Sequence, residues 1–305
     1  MPHVFANGIQ IEYETFGNPS FPPLLLIAGL GGQMIGWDEK LCETWAKNGL
    51  YVIRFDNRDV GLSTKMEEAD IPDLMAALTA SSKGEKVDAP YTLDDMADDA
   101  VGLLDALRIE RAHLCGISMG GAIAQTISYR HPSRVRSMTQ VYATTGNPEL
   151  PRPKPEIMTL LLSPLPEERE AYVDHMMTLY RTIAGPGFPF DELWHRKLAG
   201  RSYDRAFSGA GKARQFMAIL AHGNRKPLLA SITVPTLVIH GTDDPLVPVS
   251  GGIDSAEAIA GAELMIIEGM GHDMPHGSAW PRIVQAVLAH ARKADRLRSD
   301  GGFHP

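Results

Sequence analysis

Residues 116–121 read Gly116-Ile117-Ser118-Met119-Gly120-Gly121, placed where a buried-strand pattern, Ala112 to Cys115, gives way to a helical pattern running to Arg130. A serine at the apex of a strand-turn-helix must take a strained backbone. The positions two before and two after it must therefore lack bulk, and Gly116 and Gly120 both comply. Gly121 relieves the crowding further. The pattern alone carries little, because with 29 glycines in 305 residues a G-x-S-x-G arises by chance in roughly one such chain in seven. Its place between strand and helix gives it weight as a nucleophile turn; the ordinary alternative is a glycine-rich turn with an idle serine.

Working outward, short apolar runs recur at Leu24 to Ala28, Tyr51 to Phe55, Ala112 to Gly116, Val135 to Val141, Thr236 to His240 and Glu263 to Ile267. Such runs suit strands buried on both faces. Before them, alternating residues around Asn7-Gly8 predict a two-residue hairpin. Helical patterns at Trp37–Lys47, Leu93–Leu107, Gly120–Arg130, Ile253–Ile259 and Pro281–Lys293 complete a βαβα alternation. The chain is therefore read as α/β, a mostly parallel sheet with an antiparallel edge and helices on both faces.

One interval breaks the rhythm. Between Val141 and Thr236 the chain is several times longer than a normal crossover, and it carries helical apolar patterns: Ile157, Leu160, Leu161; Tyr172, Met176, Leu179, Tyr180; Trp194, Leu198; Phe216, Leu220. We assign residues 147–231 to a helical cap inserted after the sixth strand, and residues 1–146 with 232–305 to the core domain. Packing the cap's own small core is the usual role of such side chains, so only a minority are expected to touch a ligand. Residues 64–90 read as a long surface excursion of the kind that borders sites, and 293–305 as a frayed terminus.

Composition narrows the function. Lys and Arg number 29 against 37 Asp and Glu, a formal net charge of −8, so nothing favours a phosphate backbone and nucleic acid is not an expected partner. No run approaches the roughly 18 apolar residues of a membrane span. The opening MPHVFANGIQIEYETFG lacks a secretory signal pattern, and two cysteines, Cys42 and Cys115, cannot build a disulfide framework, which together fit a reducing cytoplasm. The glycines at 29, 31 and 32 do not make a dinucleotide fingerprint, since G-x-G-x-x-G from Gly29 needs a glycine where Met34 stands. No cofactor is implied. His272 and His276 are four apart, but Pro275 obstructs a helix through them, so no metal is implied either.

A serine at its free pKa needs a base, and the base an orienting acid. Two loops after late strands supply candidates. The first is Gly241-Thr242-Asp243-Asp244-Pro245, the second Gly269-Met270-Gly271-His272-Asp273, giving the chain order Ser, Asp, His. The tetrahedral intermediate needs two backbone donors, one from Met119 after the nucleophile and one from the loop Ala28-Gly29-Leu30-Gly31-Gly32. His113, His131, His175, His195, His222 and His290 lie in strand or helix contexts where packing or exposure is the default.

With these pieces together the chain resembles the α/β-hydrolase fold, from the N-terminal hairpin to beyond His272. The resemblance implies that the acid is Asp244, with Asp243 as fallback, that the base is His272, and that Leu30 N–H partners Met119 N–H in an oxyanion hole. Many relatives carry His-Gly where this chain has Ala28-Gly29, a departure that removes a side chain able to brace the loop and leaves the donor. Asp56 and Arg58, in a stretch similar to the family's D-x-R-x-x-G-x-S turn, are expected to hold loops together. Elbow, turn and cap placement look most similar to small capped esterases related to aclacinomycin methylesterase. The resemblance implies hydrolysis of a small-molecule carboxylic ester, with short-chain acyl, aryl or methyl groups, through an acyl-enzyme. Relatives of this fold use the same triad for C–C hydrolysis or perhydrolysis, and some only bind small molecules, so these stand as alternatives.

Overall fold

Asn7 and Gly8 both take positive φ, 48° and 77°, and this two-residue turn joins β1 (His3–Ala6) to β2 (Ile9–Phe16) with Ala6 opposite Ile9. The computed structural model describes residues 2–70 and 73–299. The strands β3 (Pro23–Ile27), β4 (Tyr51–Phe55), β5 (Ala112–Ile117), β6 (Val135–Val141), β7 (Thr236–Gly241) and β8 (Glu263–Ile267) complete one sheet of eight, ordered β1-β2-β4-β3-β5-β6-β7-β8. Pairing is antiparallel from β1 to β4 and parallel thereafter.

The parallel strands are apolar on both faces because both faces are covered. In β3, Leu25 and Ile27 join one core, with Ile53, Phe55, Leu114 and Met138. Leu24 and Leu26 point the other way, towards Val52, Cys115 and Ile239. Each such side chain, fully withdrawn from water, contributes about 1.5–3 kcal/mol. The first core is closed by α3 (Leu93–Ala106) and α4 (Met119–Arg130), the second by α1 (Glu39–Lys47) and α11 (Trp280–Ser299). Of the rest, α2 (Leu74–Ser82) precedes α3, and α10 (Ser250–Ala258) joins β7 to β8. Between β6 and β7 run α5 (Pro155–Leu162), α6 (Arg169–Ile183), α7 (Glu192–Arg205), α8 (Gly209–His222) and the short α9 (Lys226–Leu229).

The stretch 64–90, read as a surface excursion bordering a site, contains α2 behind Asp73, whose carboxylate accepts from the N–H groups of Met75 and Ala76, and Leu78, Ser81 and Ser82 of that helix line the same cavity as Ser118. Two readings need correction. The first long helix begins at Glu39 rather than Trp37, because Asp38 takes the cap position and accepts from Lys40 N–H. The terminal helix continues to Ser299, held where Ala291 and Ala294 are buried, and Asp295 pairs with Arg136 at 2.7 Å. The remainder of that expected frayed end, 300–305, lies outside the described residues. Among the described residues no helix is long and apolar enough to cross a membrane. Both thiols are buried and unpaired, and burial pushes each up to about 12.

Candidate active site

Ser118 sits between β5 and α4 with φ 52° and ψ −120°, a conformation that costs a non-glycine residue of order 1–3 kcal/mol and persists only where the surroundings enforce it. The surroundings are backbone. A Cβ on Gly116 would lie 2.1 Å from the Gly120 carbonyl oxygen, and one on Gly120 would lie 2.1 Å from that of Ile27. The elbow is thus pressed against the end of β3. The loop that follows β3 lies over the serine, because a Cβ on Gly29 would be 3.3 Å from Ser118 Cβ.

The loops after β7 and β8 meet there. Ser118 Oγ is 2.9 Å from His272 Nε2, and His272 Nδ1 is 2.7 Å from Asp244 Oδ2. An ionised carboxylate can only accept, so Nδ1 carries the hydrogen and Nε2 is left to accept from the serine. The other Asp244 oxygen accepts from the N–H groups of Leu246 and Val247, at 2.9 and 2.7 Å. Burial opposes the charge on Asp244. The imidazole of His272 and hydrogen bonds from His240, His272 and Val247 outweigh it and hold the carboxyl at about 2. Asp243 is turned away and accepts from Thr242 Oγ1.

Leu30 and Met119 line the same cavity as Ser118 and His272. Met119 opens α4, so its N–H is one of the helix's donors without an intrahelical partner. Among the described residues, no hydrogen bond takes up the N–H of either Leu30 or Met119. The cavity measures about 780 Å³. Its far wall comes from α5–α8: of the apolar residues singled out in that interval, all but Ile157 and Leu160 line it, and Leu161, Met176, Leu179, Tyr172 and Tyr180 also pack against buried apolar residues of these same helices. Their helices are amphipathic towards the cavity, and periodicity alone cannot separate that from facing a core. His195, read as a packing residue, is also in the wall, stacked on Phe190 with ring centroids 4.4 Å apart. His276 does not join His272 in a shared site but pairs with Asp191 at 2.7 Å.

The family model for the alpha/beta hydrolase fold matches residues 22–277. The chain belongs to the α/β-hydrolase fold family. It is 30% identical to the rhodomycin D methylesterase of Streptomyces sp. strain C5, covering 94% of this chain and 96% of the relative. The rhodomycin D methylesterase of Streptomyces peucetius is 29% identical over the same shares. Among solved structures, an esterase from Rhodococcus sp. ECU1013 superposes with a TM-score of 0.72 at 22% identity, covering 96% of this chain and 98% of that one. The likeness to methylesterases expected from the elbow and cap order is therefore met.

In this α/β hydrolase several neighbours of the site carried no signal in the sequence. Tyr142, just after β6, has φ 40° and sets its ring 4.6 Å from that of His272. Such a backbone is visible only in three dimensions. Gln215 of α8 is fully buried and accepts from Gly31 N–H at 2.8 Å. Asp273 lines the cavity beside His272, and burial raises its carboxyl to about 6. The D-x-R turn does hold loops: Asp56 accepts from the Met34 and Leu62 N–H groups and pairs with Arg205, Arg58 grips Asp99, and Asp59 grips Arg214.

Proposed function

We propose that this α/β hydrolase cleaves neutral carboxylic esters through a serine acyl-enzyme, with residues 147–231 acting as the cap that walls the ester pocket. The observation that carries the reading is the unbroken hydrogen-bond chain from Ser118 through His272 to Asp244, with Ser118 and His272 in the wall of a cavity of about 780 Å³. His272 takes the Ser118 proton as Oγ attacks the acyl carbon. The Leu30 and Met119 N–H groups receive the oxyanion, and Asp244 fixes the imidazole and balances its charge. His272 then returns the proton to the departing alkoxide. Water, deprotonated by the same imidazole, splits the acyl-enzyme into acid and restored serine.

The wall supports an uncharged ester. Leu, Met and aromatic side chains predominate around the serine, and a charged substrate would lose its hydration there without repayment. Similarity to two methylesterases supports a small alkoxide leaving group. Buried, unpaired Cys42 and Cys115 support a reducing compartment, the cytoplasm.

A panel of p-nitrophenyl, aryl and methyl esters, assayed with the parent and with Ser118→Ala, tests the proposal. Hydrolysis abolished by the substitution supports it. A dominant rate on a vinylogous diketone, or in peracid formation, would replace ester hydrolysis with C–C or peroxide chemistry. Ligand binding that survives Ser118→Ala, without turnover of any ester, would make the protein a binder.

A further inference from the structure

The loop that carries His272 is gripped at both ends by one segment between β6 and β7. At its first end the grip is backbone on backbone. Gly187 N–H donates to the Gly269 carbonyl at 2.9 Å, and the N–H of His272 itself donates to the Ile183 carbonyl at 2.8 Å. The Asp273 carboxylate accepts from the Gly185 N–H in this seam, and there is no room in it for a Cβ at 185 or 187. A Cβ on Gly185 would lie 2.2 Å from the Gly269 oxygen and 2.3 Å from Gly271 N, and one on Gly187 would lie 2.5 Å from Gly269 Cα. At the second end His276 Nδ1 meets Asp191 Oδ2 at 2.7 Å, and the Trp194 ring stacks on His276 with centroids 4.7 Å apart. Trp194 Nε1–H also donates to Asp38 at the start of α1.

We propose that the segment 183–194 is a second positioning element of His272, beside the loop after β7 that holds Gly269, Met270 and the imidazole itself: the glycine seam at 185 and 187 and the Asp191–His276 pair fix the loop so that Nε2 stays within hydrogen-bond reach of Ser118. This rests on the assignment of Ser118 and His272 as nucleophile and base. Its physical basis is that a loop fixed at one end pivots, whereas one fixed at both ends holds its middle. Gly269 itself has φ 75° and makes the tight turn that brings the seam together. The cap is then part of the catalytic frame on this side, and any opening that admits substrate must occur elsewhere on the wall.

The test compares Gly185→Ala and Asp191→Asn with the parent, and uses Gly102→Ala, a crowded glycine of α3 against Ala6, as a control for packing loss. Rates are taken per site titrated to completion with a fluorophosphonate. The proposal expects Gly185→Ala to lower kcat about 100-fold with KM within about threefold, and to slow labelling of Ser118 in parallel. For Asp191→Asn it expects a smaller fall in both, about three- to tenfold. Gly102→Ala should lose thermal stability and keep kcat per site. A purely structural seam would lower Tm or the titratable fraction and leave kcat and labelling rate per site at parental values, which overturns the proposal. If Gly185→Ala does not fold, parental rates in Asp191→Asn overturn it by themselves. A parent that labels at Ser118 but hydrolyses no ester sinks the ester reading, and the labelling rates still decide the role of the seam.

Discussion

Gln215 bridges two loops that the sequence keeps far apart: its Oε1 accepts from Gly31 N–H and its Nε2–H donates to the Arg58 carbonyl, both at 2.8 Å. The loop it holds includes Leu30, and Ala28 at its start has no polar side chain to brace it from within. The brace comes instead from α8. Gln215→Met keeps the volume and removes both bonds. We expect kcat on a p-nitrophenyl ester to fall about 10- to 100-fold with little change in KM, since only the developing oxyanion feels the displaced donor. An unchanged kcat would show that the loop holds its shape without Gln215.

Asp244 and Asp243 are neighbours with different partners, His272 for the first and Thr242 for the second. Asp244→Asn preserves shape but presents an amide to Nδ1, favouring the wrong imidazole tautomer, and should lower kcat by ~10⁴ as such changes do in related triads. Asp243→Asn should stay within about twofold of the parent. Steady-state rates on one ester decide both. Equal losses would contradict the assignment of the acid.

Burial raises Asp273 from 3.8 to about 6, so as pH rises the unfolded chain releases this proton before the native one does. The native state is therefore penalised at neutral pH, by about 1–3 kcal/mol, and not below pH ~3.8 where both states hold the proton. Asp273→Asn should raise Tm at pH 8, with the gain shrinking as pH falls through 6 and vanishing near 4. A stability difference independent of pH would contradict this.

Gly120 has no room for a methyl group. Its Cβ would meet the Ile27 carbonyl at 2.1 Å and that of Ala28 at 2.7 Å, both main-chain atoms. Gly120→Ala should cost about 3 kcal/mol or more, or prevent soluble expression. Gly36→Ala, with nothing within 4 Å, should leave Tm within ~2 °C. Thermal melts of the two variants separate them.

Much of this arrangement was legible in the chain itself. The strand runs were apolar on both faces because the sheet is covered twice, and the elbow was readable because its glycines flank the serine at fixed offsets, although only Gly116 answers to a contact within the turn while Gly120 answers to the Ile27 carbonyl of a distant strand. The turns after two late strands supplied candidate acids and bases, and the resemblance to the fold family selected Asp244 and His272 among them. The residues that escaped notice act through distant contacts or through backbone shape. Gln215 sits in an ordinary helical pattern, and Tyr142 has a positive φ that no residue type announces. The helices between β6 and β7 line the cavity and pack on one another with many of the same side chains, two roles that share one period.

The account stands on the reactivity of one hydroxyl. Treating the protein with a fluorophosphonate and sequencing the labelled tryptic peptide, which should span residues 112–130 and contain both Ser118 and Ser128, tests this directly by fragmentation. The account predicts a single adduct on Ser118, absent from Ser118→Ala and formed at least ~10³-fold more slowly in His272→Ala. An adduct on any other residue, or labelling that persists undiminished in Ser118→Ala, would contradict it.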